Sequence, residues 1–287
     1  MSTNTRSQPR KIGTYTVLAK LGEGAASELY AVQHPKTKQV SALKYVEKTD
    51  EKSQRFLDQV EQEYAVGSKL NHESIRKIKK IVRHRKLLRV TGISMIMELV
   101  DATTLDQQLP KNHVDAVDVF LQVAKGLAHI HKRGFVHADI KPNNILVDES
   151  GLVKIIDLGQ ACAIGTVKKR IQGTPGYMAP EQAHRNEITP KTDIYNLGAM
   201  MYWTLVGEVI PTSMPPKGAN ESLVGGAVRE GNLKLPTPPH EKNPRIHPLL
   251  SQQIVDCVQP NYDQRPETMD IVVNRLELIR DVMQETT

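Results

Sequence analysis

The chain has 287 residues, 39% of them hydrophobic and 24% charged, with a net charge of +6 from 38 Lys and Arg against 32 Asp and Glu. This length holds one large domain or two modest ones, the apolar fraction suffices for a core, and no low-complexity tract or internal repeat is visible. Two cysteines, Cys162 and Cys257, give no disulfide framework, and the polar N-terminus lacks the apolar core of a secretion signal, so the setting reads as reducing and cytoplasmic.

Residues 1–14 read as a flexible tail. Tyr15, Val17, Ala19 and Leu21 alternate as in a β-strand, and a glycine-containing turn follows. Leu29 to His34 reads as a second strand; after the turn at 34–38, Val40, Ala42, Lys44 and Val46 share one face of a third. Residues 51–70 have helical period, with Phe56, Val60, Glu63, Gly67 and Leu70 on one stripe. Ile75 to Met97 returns to strand-like runs and ends at Glu98-Leu-Val100. Beyond Asp101 the pattern is mainly helical. Val117, Leu121, Ala124, Ala128 and His131 form an amphipathic stripe, and Thr189-Pro190 reads as an N-cap with Pro at the first helical position. The helix it opens carries Leu197, Met201 and Leu205 on one face. Residues 211–245 are rich in Pro and Gly and read as loops, with final helices near 247–258 and 267–283. The longest weakly charged stretch, Ile194 to Gly207, is shorter than the roughly 20 residues of a membrane span.

The chemistry concentrates in His137 to Leu146, HADIKPNNIL. Asp139 is an acid able to orient a hydroxyl and accept its proton. Lys141 adds a positive charge two residues on. Asn144, together with Asp157 at the end of an alternating apolar run, offers oxygens suited to a hard divalent cation held against phosphate. Gly22-Glu23-Gly24-Ala-Ala-Ser27 lies between two strands, where glycines let backbone N–H groups approach phosphate oxygens. Alone, such a hairpin is commonly just a turn, and its strand–turn–strand setting argues against a dinucleotide fold. Lys44 faces inward on its strand and needs an anionic partner. Glu63, on the apolar stripe of the following helix, supplies one; Glu61 competes but shares the Leu57 face.

These motifs together resemble those of the eukaryotic-like (Hanks-type) Ser/Thr protein kinases, and the wording from Gly173 to Gln182, GTPGYMAPEQ, looks closer to bacterial members than to animal ones. The resemblance covers residues 15 to 283. It implies an α+β, bilobal protein-kinase-like fold, with a small β-rich N-lobe (15–98) and a larger, mainly helical C-lobe (101–283). It implies an enzyme that transfers the γ-phosphoryl group of ATP, with Mg²⁺ or Mn²⁺, to Ser or Thr of protein substrates. In that frame Asp139 orients the substrate hydroxyl, Lys141 neutralises the transferring phosphoryl group, and Asn144 and Asp157 bind the metal. Lys44 contacts the α- and β-phosphates and is held by Glu63. Leu21, Gly22, Glu23, Gly24, Leu29, Ala42, Met97, Glu98, Val100 and Leu146 surround the nucleotide, with Met97 as gatekeeper and Glu98 and Val100 facing adenine through their backbones. Thr174 bridges Asp139 and Lys141 and shapes the substrate-binding loop. Glu181 and Arg265 form a buried salt bridge, and Asp193 braces the catalytic loop.

The sequence departs from the family pattern at several points. Ser27 stands where the family has a third glycine, and Leu29 replaces the usual valine. Leu158 follows Asp157 where the family has Phe. Ala138 replaces the Arg that pairs with an activation-segment phosphate, so this is a non-RD sequence and phosphorylation-dependent switching is expected to be weak. Thr166, beside Lys168-Lys-Arg170, is an exposed candidate phosphosite. These departures keep a pseudokinase, a nucleotide-binding scaffold without turnover, as the alternative. A small-molecule phosphotransferase is disfavoured by the Thr174–Glu181 segment. Eight Lys and Arg lie between Arg76 and Arg89 with no aromatic residue among them. This favours a solvated hairpin or a surface for an acidic partner over a nucleic-acid site.

Overall fold

The computed structural model describes residues 10–24, 26–51, 53–213, 227–228 and 235–285. The chain divides into two units, one of Met1–Asn71 with Arg76–Asp101, the other of His72–Ile75 with Ala102–Thr287.

Among the described residues, the first unit is an antiparallel sheet with one helix. Its strands are β1 (Lys11–Ile12), β2 (Tyr15–Glu23), β3 (Glu28–Gln33), β4 (Val40–Glu47), β5 (Ile78–Lys86) and β6 (Arg89–Met97), in the order β1-β2-β3-β4-β6-β5. Ile12, Tyr15, Tyr30, Val32, Leu43 and Ile96 pack as one apolar cluster. Burial of Ile12 in that cluster draws β1 into the sheet, so the strand reaches into the stretch 1–14 that the sequence had given to a flexible tail; residues 1–9 lie outside the described residues. β2 does not alternate cleanly. Register shifts between Val17 and Ala19 and between Lys20 and Gly22 twist the strand, and both Ala19 and Leu21 end up exposed.

Helix α1 spans Gln54–Gly67, shorter than the expected 51–70. Its buried stripe is Leu57, Val60, Glu63 and Val66. Phe56, assigned to that stripe from spacing, is only half-buried and lies under the Arg55 guanidinium at 4.5 Å. Glu63 thus shares its face with Leu57, which had been placed on the face of Glu61.

Among the described residues, the second unit is built on four longer helices. They are α2 (His113–Lys132), α4 (Pro190–Val206), α6 (Pro248–Cys257) and α7 (Met269–Glu285), with short helices α3 (Pro180–Ala183) and α5 (Pro239–Lys242). Asn112 caps α2 by accepting from the Asp115 N–H at 2.9 Å. The stripe read from sequence is the buried face: Val117, Leu121, Ala124 and Ala128 are all buried. Pro190 opens α4, and Gly207 ends it at φ +79°, a conformation that favours glycine. Gly198 lets α4 approach α6: a Cβ there would lie 2.6 Å from Cβ of Cys257.

Short strands tie down the loops that carry the polar motifs. β9 (Ile145–Val147) lies between β7 (Thr103–Thr104) and β10 (Val153–Ile155). β8 (Phe135–Val136) pairs with β11 (Cys162–Ala163), and β12 (Thr166–Val167) with β13 (Glu187–Ile188). In the stretch expected to be loops, 211–245, the structure adds a parallel pair, β14 (Thr212–Ser213) and β15 (Ala227–Val228), and the short α5. Residues 214–226 and 229–234 of that stretch lie outside the described residues.

Candidate active site

In the first unit, β2 and β3 close the glycine hairpin. Gly22 pairs with Leu29 and Glu23 with Glu28, and the Gly24 N–H donates to the Ser27 carbonyl at 2.7 Å. Strand β4 carries Lys44 and Ala42; helix α1 carries Glu63. Lys44 Nζ reaches Glu63 Oε2 at 2.7 Å, with the Glu63 side chain 1% exposed and that of Lys44 18%. A carboxylate this deeply buried is stable only when paired. Glu61 instead takes the exposed Arg83 at 2.7 Å. Ala42 and Met97 are directly cross-strand and both buried. The Glu98 N–H donates to the Lys77 carbonyl at 2.8 Å, so it is committed to the chain itself. Leu21 is 46% exposed.

In the second unit, three side chains form a tight triangle. Lys141 Nζ donates to Thr174 Oγ1 at 2.8 Å, Thr174 Oγ1 donates to Asp139 Oδ1 at 2.9 Å, and Lys141 Nζ lies 3.0 Å from Asp139 Oδ2. Asn144 follows in a 3-10 turn, Pro142–Asn144. Its amide nitrogen donates to the Asp139 carbonyl at 2.8 Å and more weakly to Oδ2 at 3.3 Å. An amide with its nitrogen committed in this way has its oxygen left for other work. Asp157 stands at φ +63° and accepts from the Gly159 N–H at 3.2 Å. Leu146, on β9, is half-buried. Among the described residues no three His, Cys, Asp or Glu side chains cluster as a metal cage. One amide oxygen and one carboxylate are hard donors that suit Mg²⁺, which keeps waters and takes substrate phosphate rather than a full protein cage.

The Asp139 loop is held under strain. Ala138 has φ +61°, a left-handed conformation costly for a residue with a Cβ. Both of its backbone groups are clamped. Its N–H donates to Asp193 Oδ1 at 2.8 Å, and its carbonyl accepts from Gln182 Nε2 at 2.7 Å. Asp193 Oδ2 takes the His137 N–H at 2.8 Å and His131 Nε2 at 2.8 Å. Burial alone would raise the Asp193 carboxyl pKa; the hydrogen bonds and charges of His131 and His137 outweigh it and hold the group below its ordinary value. Gln182 and Asn196 form the rest of the clamp: Asn196 Nδ2 donates to Gln182 Oε1 at 2.9 Å and to the Tyr177 carbonyl at 2.7 Å. Neither was singled out from sequence. The available signals were Gln182 directly after Glu181, and Asn196 one helical turn beyond Asp193.

Glu181 and Arg265 form a bidentate pair at 2.7 and 2.9 Å, with side chains 5% and 0% exposed. Thr166 is partly buried rather than freely presented. It sits in β12, and its hydroxyl donates to the Ala163 carbonyl at 2.7 Å. Cys162 packs against Val136, Ala138 and Ile188, and burial pushes its thiol pKa up, as expected of an inert cysteine. Lys168, read from sequence only as a neighbour of Thr166, turns inward and donates to the Gln160 carbonyl at 2.5 Å.

No helix among the described residues is long and apolar enough to cross a membrane. Residues 15–276 match the family model described as the protein kinase domain. The serine/threonine-protein kinase PrkC of Bacillus subtilis is 27% identical over 90% of this chain and 39% of its own length. A probable serine/threonine-protein kinase of Dictyostelium discoideum is 27% identical over 89% of this chain and 49% of its own. The inactive serine/threonine-protein kinase PLK5 of Mus musculus is 29% identical over 86% of this chain and 40% of its own. The chain therefore spans less than half the length of these curated relatives. Members of the matched family generally use ATP and Mg²⁺. A domain match over nearly the whole chain, with relatives named as Ser/Thr kinases in bacteria and eukaryotes, places this chain in the protein kinase family, among its Hanks-type serine/threonine members.

Proposed function

We propose that the chain, through a kinase domain at 15–283, transfers the γ-phosphoryl group of ATP to Ser or Thr of protein substrates in the cytoplasm. The observation that carries this reading is the Asp139–Lys141–Thr174 triangle. Asp139 Oδ1 already accepts a hydroxyl proton from Thr174 at 2.9 Å, so the carboxylate is oriented to accept from an alcohol. A substrate hydroxyl taking that direction would be aimed and would lose its proton late, as a loose transition state requires. Lys141, 3.0 Å from the same carboxylate, places positive charge where negative charge moves. Lys44, steadied by Glu63, is the phosphate-binding cation of the first unit. Apolar Leu21, Leu29, Ala42 and Met97 of the first unit suit an adenine ring. The committed Glu98 N–H narrows the polar contacts to the Glu98 carbonyl and the Val100 backbone. Asn144 and Asp157 would hold Mg²⁺, which when bound neutralises phosphate charge.

The lack of an Arg at 138 fits a segment that needs no phosphate to be set. Ala138 sits in an apolar cluster with Cys162, and the cation nearby, Lys168, comes from the segment itself. Phosphorylation of Thr166 is then dispensable.

A pseudokinase is the second reading. It is favoured by Ser27 in the glycine hairpin and by likeness to a relative named inactive. Labelled γ-phosphate transfer to the chain itself and to a generic basic protein separates the two. Label on Ser or Thr that is lost in Lys44→Met supports the kinase. No label with Mg²⁺ or Mn²⁺, while nucleotide still raises the melting temperature, supports the scaffold. Preference for a small-molecule acceptor would overturn both.

A further inference from the structure

The run of cations between Arg76 and Arg89 does not behave as one surface. Toward the base of the β5–β6 hairpin the side chains are engaged: Lys79 Nζ donates to Ser41 Oγ at 3.0 Å, Lys80 lies over the Tyr15 ring at 5.2 Å, and Arg83 pairs with Glu61. At the tip, the side chains of Arg85, Lys86 and Arg89 are exposed and have no hydrogen-bond or ion-pair partner among the described residues. No acidic residue lies between Arg76 and Met97.

Between those cations sit Leu87 and Leu88, 93% and 91% exposed, the two most exposed large apolar residues of the described chain. Lys86 pairs with Arg89, so the leucines are the two central residues of a tight hairpin turn. Leu87 has φ +57°. Such a turn favours Gly or Asn at a positive φ, and a leucine there is strained. The fold gains nothing visible from either side chain, since both point into water. Local structure therefore argues against these residues, and their presence needs another cause.

We propose that this tip docks on an anionic lipid bilayer, with Leu87 and Leu88 entering the headgroup–acyl boundary and Arg85, Lys86 and Arg89 pairing with lipid headgroups. An acidic protein surface would satisfy the cations and leave two leucines in water. An apolar groove would take the leucines and strand the cations. A bilayer offers a charged layer directly above an apolar one, in the order the hairpin presents them. No membrane-crossing helix is needed; the association is peripheral and weakens with salt.

Co-sedimentation of the full chain with phosphatidylcholine vesicles, with and without phosphatidylserine, tests this. Binding is expected only with phosphatidylserine and should fall as salt rises. Leu87→Gly with Leu88→Ser matches the turn's own preference, so the double variant should melt at the same temperature or higher while losing roughly tenfold or more in vesicle binding. Arg85→Gln, Lys86→Gln and Arg89→Gln together should abolish the phosphatidylserine preference. Absence of binding by the parent chain, or equal binding by the leucine variant, would overturn the proposal. So would capture by polyglutamate without capture by phosphatidylserine vesicles, which would assign the tip to an acidic protein. None of these readouts depends on phosphoryl transfer, so the kinase reading stands or falls separately.

Discussion

Replacing Arg265 by Ala should be among the most destabilising single changes outside the Asp139 loop. All five N–H groups of this guanidinium are committed. Two go to Glu181, and the others to the carbonyls of Gln259, Lys191 and Pro260 at 2.7, 2.9 and 3.2 Å. Its side chain is 0% exposed and stacks 4.9 Å from the Tyr195 ring centroid. Truncation leaves the Glu181 carboxylate buried with only the Thr192 hydroxyl, at 2.9 Å, as a side-chain donor. Breaking a buried pair from one side costs about 3–5 kcal/mol. At about 2–4 °C per kcal/mol for a domain of this size, the melting temperature should fall by roughly 6–20 °C. Arg265→Met with Glu181→Leu removes both charges and should recover more than half of that loss, because the stranded carboxylate dominates it. Urea unfolding and calorimetry on the three proteins read these numbers. A loss below about 1 kcal/mol for Arg265→Ala, or no recovery in the double variant, would mean that the buried pair does not set the stability here.

Asp193→Asn should weaken both stability and transfer. The depressed carboxyl pKa contributes stability above the ordinary value of 3.8, and this is lost as pH falls through the lower folded-state value. The gap between parent and variant in urea midpoint should therefore be full at neutral pH and close in acid; a gap that widens in acid would contradict the assignment. With Ala138 unclamped, transfer should drop by about a hundredfold. Lys168→Met should raise the melting temperature at neutral pH. Burial pushes the lysine pKa below 10.5, so the folded state carries a penalty that is full below the folded pKa and fades as pH rises toward 10.5. A lower melting temperature at neutral pH would show that its bond to Gln160 outweighs burial. Thr166→Ala should keep transfer within about tenfold of the parent, since its hydroxyl bonds to the neighbouring Ala163 carbonyl and Cys162 thiol; a larger loss would mean that phosphorylation there switches the segment.

Local patterns in the sequence located the elements and the polar motifs. The run 29–34 located β3, whose middle residues Tyr30, Ala31 and Val32 are all buried, and the face of Ala42 and Val46 located β4 although Val40 on that face is exposed; helical spacing found α2 and α4 because Val117, Leu121, Ala124, Leu197 and Met201 are buried. Asp139, Lys141 and Thr174 came from two motifs more than thirty residues apart and lie within 3.0 Å of one another. What the pattern missed is non-local or conformational. Ile12 belongs to the sheet only because Tyr30, Val32 and Ile96 await it. Leu57, not Phe56, faces inward because the rotation of the helix, about 100° from one residue to the next, is set by packing rather than by composition. The left-handed conformations of Ala138 and Leu87 have no signature in residue type, since neither is the residue such a conformation favours. The clamp of Gln182 and Asn196 exists only once the 173–182 segment has folded against α4.

The central claim is that Asp139 acts on the acceptor hydroxyl and not on the nucleotide. Single-turnover phosphoryl transfer at saturating MgATP and the MgATP-induced rise in melting temperature, measured on one preparation of Asp139→Asn, test it together. Transfer should slow by about 10²–10⁴-fold with the nucleotide-induced rise intact. Parent-like transfer by Asp139→Asn, or no transfer by the parent chain itself, would contradict it.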